Sequence, residues 1–345
     1  RHTRYWRDWS SDVCSSDLAR PVHDPTPKPP RPTIFSLDQN FLSAFAIPRL
    51  FDRNLDELRR ALTDAVKAGL VICPAHVQET IYESCKLGDP DKARRIFQLQ
   101  NELSGGWAFH PFHEAVAKEM LGQVRTESAS SEHLKYCQPP FRALSDTELF
   151  GLCQRMHEQD CEATKRAKPV LERTAGLDAA KDYEEILNEL EKEREMGMSH
   201  ALKAMALGCR VPNPKPDWVL GVCHALMESG LSPNECEELI AAVESGTWRQ
   251  IPCVKVNSQL FAKIEQQMAT SKHSGLAPKY GGWKLSDHAD INRLSVSLLH
   301  ADIVTCDKAM SSIIGQTKLD QAWAKPVYSS TALAELVEQI KAKAP

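Results

Sequence analysis

The spacing of apolar residues changes character twice along the chain. Thr33-Ile34-Phe35-Ser36-Leu37 predicts a strand ending at Asp38, and Asn40 to Phe45 predicts a short helix just beyond it. Leu55, Leu58, Leu62, Ala65 and Val66 recur at helical spacing and predict a helix from Leu55 to Ala68, with Asn54 placed to cap it and Gly69 to end it. Leu70-Val71-Ile72-Cys73 reads as a second strand. Pro74 suits the first turn of a further helix carrying His76, Glu79, Ile81, Tyr82 and Cys85. This βαβα order favours a parallel sheet joined by right-handed crossovers.

From about Pro90 to Gln250 little reads as strand. Leu144, Leu149, Leu152 and Met156, then Leu187 and Leu190, recur at three and four. Asp182 to Glu195 predicts a helix of mixed charge that faces solvent or a partner. Pro212, Pro214 and Pro216 break the pattern, and Ser232 caps the helix that follows. The sheet pattern returns with Ile303-Val304-Thr305 as a strand, Lys308 to Ile314 as a helix, Val327-Tyr328-Ser329 as a strand and a last helix from Thr331 to Lys341. The expected organisation is therefore an α/β domain formed by residues 33–90 and 285–345, interrupted by an all-α insertion over 91–284.

Residues 1–32 stand apart as a lead-in. Asp8 to Leu18 resembles a sequencing adapter translated in frame, and residues 1–18 are set aside with it, so the native start is expected to be missing. Six prolines between Arg20 and Pro32 predict an extended segment with no core of its own.

Composition narrows the function classes. A net charge of −4 argues against a chain coated in positive charge, though a local basic groove is compatible with it. No apolar run approaches the roughly 20 residues needed to cross a bilayer. Eleven scattered cysteines without a CxxC read as buried small hydrophobes in a reducing compartment, so the expected location is cytoplasmic. Neither GxSxG nor GxxxxGK[ST] occurs.

The chemistry lies in the acids. Asp38 and Asp307 each follow a short β-branched or aromatic run, and Asp287 and Asp290 open the apolar-periodic stretch before the third strand. Open α/β sheets place ligands at the carboxyl ends of parallel strands. Carboxylates gathered there need a counter-charge, commonly a divalent cation.

Leu37-Asp38-Gln39-Asn40-Phe41-Leu42 resembles the strand-ending motif of PIN-domain nucleases. Asp290, followed by Asp302, Thr305, Asp307 and Met310, resembles their closing pattern, with the Asp290-to-Asp307 interval about one residue tight. The resemblance covers about residues 33–90 and 285–343. It implies a three-layer α/β/α fold with a mainly parallel sheet. It also implies an acidic cluster of Asp38, Glu79, Asp290 and Asp307 holding Mg²⁺ or Mn²⁺, with Asp287 competing for the third place and Asn40 as a polar neighbour. The implied activity is an endoribonuclease that hydrolyses RNA, expected to be single-stranded, with a water activated by the metal. Lys279 and Lys284, with Lys272, His273, Tyr280 and Trp283, place basic and aromatic residues ahead of the third acid, where they suit an entering strand. The alternative is a catalytically inactive PIN-like scaffold that binds RNA or a protein partner through its insertion.

Plainer roles stand beside each of these. Asp38 suits a helix cap, Glu79 a solvated helix position, and Asp287 and Asp290 a helix N-terminus. Asp302 precedes its strand and suits the turn. Cys73 with His76, and His110 with His113, have zinc-like spacing but no matching second pair. A phosphatase is disfavoured because Gln39-Asn40, and not a second aspartate two positions on, follows Asp38.

Overall fold

The computed structural model describes residues 31–47, 53–86, 88–125, 134–136, 139–174, 182–209, 218–273 and 285–342. The adapter-like segment, Lys279 and Lys284 lie outside them. The strands among the described residues are β1 (Thr33–Ser36), β2 (Val71–Ile72), β3 (Trp107–Phe109), β4 (Leu134–Tyr136), β5 (Ile303–Thr305) and β6 (Val327–Tyr328). Helices α1 (Gln39–Ala46) and α2 (Arg53–Lys67) separate β1 from β2, and α3 (Val77–Cys85) and α4 (Pro90–Ser104) lead to β3. Helix α5 (Phe112–Arg125) precedes β4. Helices α6 (Asp146–Thr174), α7 (Tyr183–Ala206), α8 (Trp218–Glu228), α9 (Pro233–Glu244) and α10 (Pro252–His273) make up the middle. Helix α11 (Leu285–His300) leads into β5, α12 (Lys308–Thr317) and the short α13 (Leu319–Ala322) lead into β6, and α14 (Leu333–Lys341) follows.

The main sheet has the order β2-β1-β5-β6 and is parallel throughout. Its central pair joins the two ends of the chain, with Phe35 opposite Ile303 and Ser36 opposite Val304. Successive strand residues point to opposite faces, and each face has its own helices. Phe35, Val71 and Ile303 lie in a core with Leu58 and Leu62 of α2, Ile96 of α4 and Leu336 of α14. Ile34 and Val304 lie in the other core with Ile291 and Leu294 of α11 and Ile313 of α12. Two helical layers around a parallel sheet agree with the expected α/β class and explain why β1 and β5 read as almost uninterrupted apolar runs.

The expectation of an all-α insertion is corrected. Strands β3 and β4 form an antiparallel pair within residues 91–284, with Ala108 opposite Lys135. Gly105 and Gly106, at φ of 58° and 87°, turn the chain from α4 into β3, a conformation open to glycine at little cost. Strand β3 is then tied back toward β2, since Ala75 donates its N–H to Trp107 and accepts from Phe109 at 3.0 and 2.9 Å. Three residues are too few to show a strand's alternation, and the β-branched pair that marks β5 is missing from Trp107-Ala108-Phe109. The middle is also not a separate body: Phe112, Ala115 and Met120 of α5 share one core with Ile34 and Val304. Helix α7 likewise buries Ile186 and Arg194 despite its charge. Arg194 donates to Ser258 at 2.7 Å and stands 4.9 Å over the Phe261 ring.

Candidate functional site

Both strand-end aspartates are helix caps. Asp38 ends the β1 run and caps α1, accepting the Asn40 N–H at 3.2 Å. Asp307 follows β5 and caps α12, accepting the Met310 N–H at 2.6 Å. Because β1 and β5 are neighbours, the two caps share one edge of the sheet. Thr305 locks that edge: its hydroxyl donates to the Ser36 carbonyl at 3.0 Å and accepts the Asp38 N–H at 2.7 Å.

Arg293 occupies the centre of the acids. This α11 residue is 4% exposed, and its Nη2 lies 2.9 Å from Asp38 Oδ1 and 3.7 Å from Asp290 Oδ1. Its Nη1 donates to the Thr305 carbonyl at 3.1 Å. Burial disfavours the guanidinium charge, but Asp38 and Asp290 outweigh it and hold the group above its ordinary value. A small cleft, partly open to solvent, adjoins it, lined by Glu79, Glu83, Asp290, Arg293, Gln39 and Thr80 among others.

The carboxyl groups facing this cleft are difficult to ionise. Burial pushes Asp290 up to about 8; Arg293 opposes the rise, while Asp38, Glu83 and Asp307 add to it. Burial likewise lifts Glu79 to about 7, against its own backbone N–H and Arg293. Glu83 is raised by burial too, although Lys86 pairs with it at 2.7 Å.

Of the expected residues, Glu79 and Asp290 line the cleft, while Asp38 and Asp307 act on Asp290 through their charge. Asp38 enters as the partner of Arg293, with both carboxylate oxygens engaged. Asp287 diverges from Asp290 and bears on Tyr82, whose hydroxyl donates to Asp160. Asn40 is exposed, whereas its neighbour Gln39 lines the cleft and donates to Ser84 at 2.8 Å. Asp302 shapes the turn before β5, accepting the Ile34 N–H at 2.8 Å. Arg293 and Glu83 had no signal in the strand-end pattern. The available clue to Arg293 was its place three residues after Asp290 on a helix.

Beneath the acids lies a buried polar knot. His76 Nε2 is 3.2 Å from Ser36 Oγ and 3.0 Å from Ser297 Oγ, and the two hydroxyls are 2.7 Å apart. The imidazole stacks on Phe109 with centroids 4.3 Å apart. Burial, followed by the charge of Arg293, holds His76 well below the usual histidine range, so it is a neutral member of the core. It makes hydrogen bonds with serines where a zinc pairing with Cys73 was conceivable. His110 is taken up by Glu114 and Lys118, each at 2.8 Å, while His113 packs against Gly221. No protein family, curated protein or solved structure matches the chain.

Proposed function

We propose that the chain is a divalent-cation-dependent endoribonuclease of PIN-like type, acting at the cleft between α3 and α11. The placement of Glu79, Glu83 and Asp290 around one cleft, with Asp38 and Asp307 acting on Asp290 through their charge, carries this reading. Glu79 and Asp290 hold their protons more tightly than ordinary carboxyl groups, and a bound dication would take the place of those protons. Carboxylate oxygens are the donors that Mg²⁺ and Mn²⁺ prefer, so the donor set fits such an ion. Glu79 and Asp290 would hold it, with Asp307 adding to the local field. Once bound, the ion offsets charge on the phosphodiester and lowers the pKa of an attacking water.

The chain's own groups do the remaining work. Asp38 and the Thr305 carbonyl fix the Arg293 guanidinium, which in turn positions Asp290. The choice of RNA follows the PIN resemblance of Leu37–Leu42 and Asp302–Met310. The deciding assay is cleavage of end-labelled single-stranded RNA with and without Mn²⁺ or Mg²⁺. Turnover should require the ion and fall by at least about a hundredfold in Glu79→Gln and Asp290→Asn. Undiminished cleavage in both variants would overturn the proposal.

One observation favours a second reading, a catalytically inactive PIN-like scaffold. Asp38 has one oxygen on Arg293 and the other on the Asn40 N–H, so the guanidinium already supplies part of the counter-charge. Saturable RNA binding without ion-dependent turnover would select this reading.

A further inference from the structure

Away from the acidic cleft, three helices bring together a carboxylate, a thiol and an imidazole. Glu119 comes from the middle of α5, Cys253 from the first turn of α10, and His300 from the last residue of α11. Their candidate ligand atoms all lie within 4.8 Å of one another. Cys253 is fully buried, Glu119 is 9% exposed, and the His300 side chain is 14% exposed. We propose that Glu119, Cys253 and His300 bind a zinc-type divalent ion that ties α5 and α10 to the end of α11.

The donor set selects the metal class. Thiolate with imidazole favours zinc-like ions over Mg²⁺ or Mn²⁺, so this site is chemically distinct from the acidic cleft. It is also distant from it: ten residues separate Asp290 from His300 along α11, about 15 Å at the helical rise. One thiolate and one carboxylate cancel a double positive charge, leaving a neutral assembly that a buried location tolerates. Zinc bonds of about 2.0–2.3 Å set tetrahedral ligand atoms roughly 3.3–3.7 Å apart, so the present spacing closes with side-chain shifts of about 1 Å.

The two Glu119 oxygens divide the labour. Oε2 accepts the Cys253 N–H at 3.0 Å, while Oε1 stands 3.9 Å from His300 Nε2. Oε1 is thus the ligand, and the Oε2 hydrogen bond orients the carboxylate from outside the coordination shell. Capping of α10 accounts for Oε2 alone. The Cys253 thiol also hydrogen-bonds the carboxylate, and the imidazole of His300 is the third donor at the same place. Binding displaces the thiol proton to solvent, so affinity rises with pH. A water completes the coordination from the His300 side, where the site reaches the surface.

The test uses the full chain, stripped by chelator and titrated with Zn²⁺ and with Co²⁺ as a spectroscopic probe. We expect one ion per chain, a sulfur-to-cobalt charge-transfer band, and a rise in melting temperature on metal addition. Cys253→Ser should abolish the band, and His300→Gln should weaken binding at least tenfold. His300→Gln, at a helix end and partly exposed, covers the case in which the buried Cys253→Ser fails to fold. Absence of the band in the parent chain, or unchanged stoichiometry and affinity in His300→Gln, overturns the proposal and leaves Glu119 as a helix cap. RNA cleavage is not the readout, so failure here is separable from failure of the nuclease reading.

Discussion

Arg293 Nη2 sits 2.9 Å from Asp38 Oδ1 across 255 positions of sequence, and both side chains are almost wholly buried. This contact ties α11 to the carboxyl end of β1 and determines which acids remain for the cleft. Breaking a buried pair by removing one partner leaves an uncompensated charge, typically at a cost of about 3–5 kcal/mol. Arg293→Met should therefore destabilise the fold by about 3 kcal/mol in urea denaturation. Adding Asp38→Asn should recover part of that loss. A loss under about 0.5 kcal/mol in the single variant would show that the pair contributes little.

A pH dependence follows from Asp290. Its folded-state value, about 8, lies above its ordinary 3.8, so the native state keeps a proton that the unfolded state releases between those limits. Its contribution to stability consequently falls as pH rises through that window. A dication replacing the proton should reverse the trend. We expect Mn²⁺ to raise the melting temperature more at pH 8 than at pH 6, and Asp290→Asn to remove most of the difference. Equal Mn²⁺ effects at both pH values would exclude Asp290 as a ligand.

His76 works in the opposite direction. Its folded-state value lies well below the ordinary 6.5, so the unfolded chain takes up a proton that the buried ring refuses, and stability is lost as pH drops below about 6.5. Replacing it also removes the ring's bonds to the Ser36 and Ser297 hydroxyls, which then have only each other. His76→Leu should cost about 1–3 kcal/mol at pH 8 while flattening the decline between pH 7 and 5. Denaturation curves at several pH values check both effects. An unchanged acid slope would mean that His76 carries its charge in the folded protein.

Legibility in the sequence followed how local each feature is. Strand β5 matched its expected limits and β1 its core, because Ile303-Val304 and Ile34-Phe35 are apolar toward both faces of the sheet. Asp307 was legible because a strand end and a helix start meet there. Strand β3 was not, since Trp107–Phe109 depends on Ala75 and on β4 for its hydrogen bonds. Arg293 was obscure for a related reason. An arginine three residues from an aspartate reads as a surface pair until the helix phase turns it toward Asp38. That same phase separates Asp290 from Asp287.

Asp307 allows its structural and chemical roles to be separated. As a cap it accepts the Met310 N–H at 2.6 Å, and replacing such a residue with alanine typically costs about 1 kcal/mol. Serine caps nearly as well but carries no charge. Asp307→Ala should lower stability by about that amount, while Asp307→Ser should stay within a few tenths of a kcal/mol of the parent. If Asp307 serves the cleft by its negative field, both variants should lose ion-dependent RNA cleavage alike, although their melting temperatures differ. A serine variant that retains full cleavage would assign Asp307 to the cap alone and confine the cation site to Glu79 and Asp290.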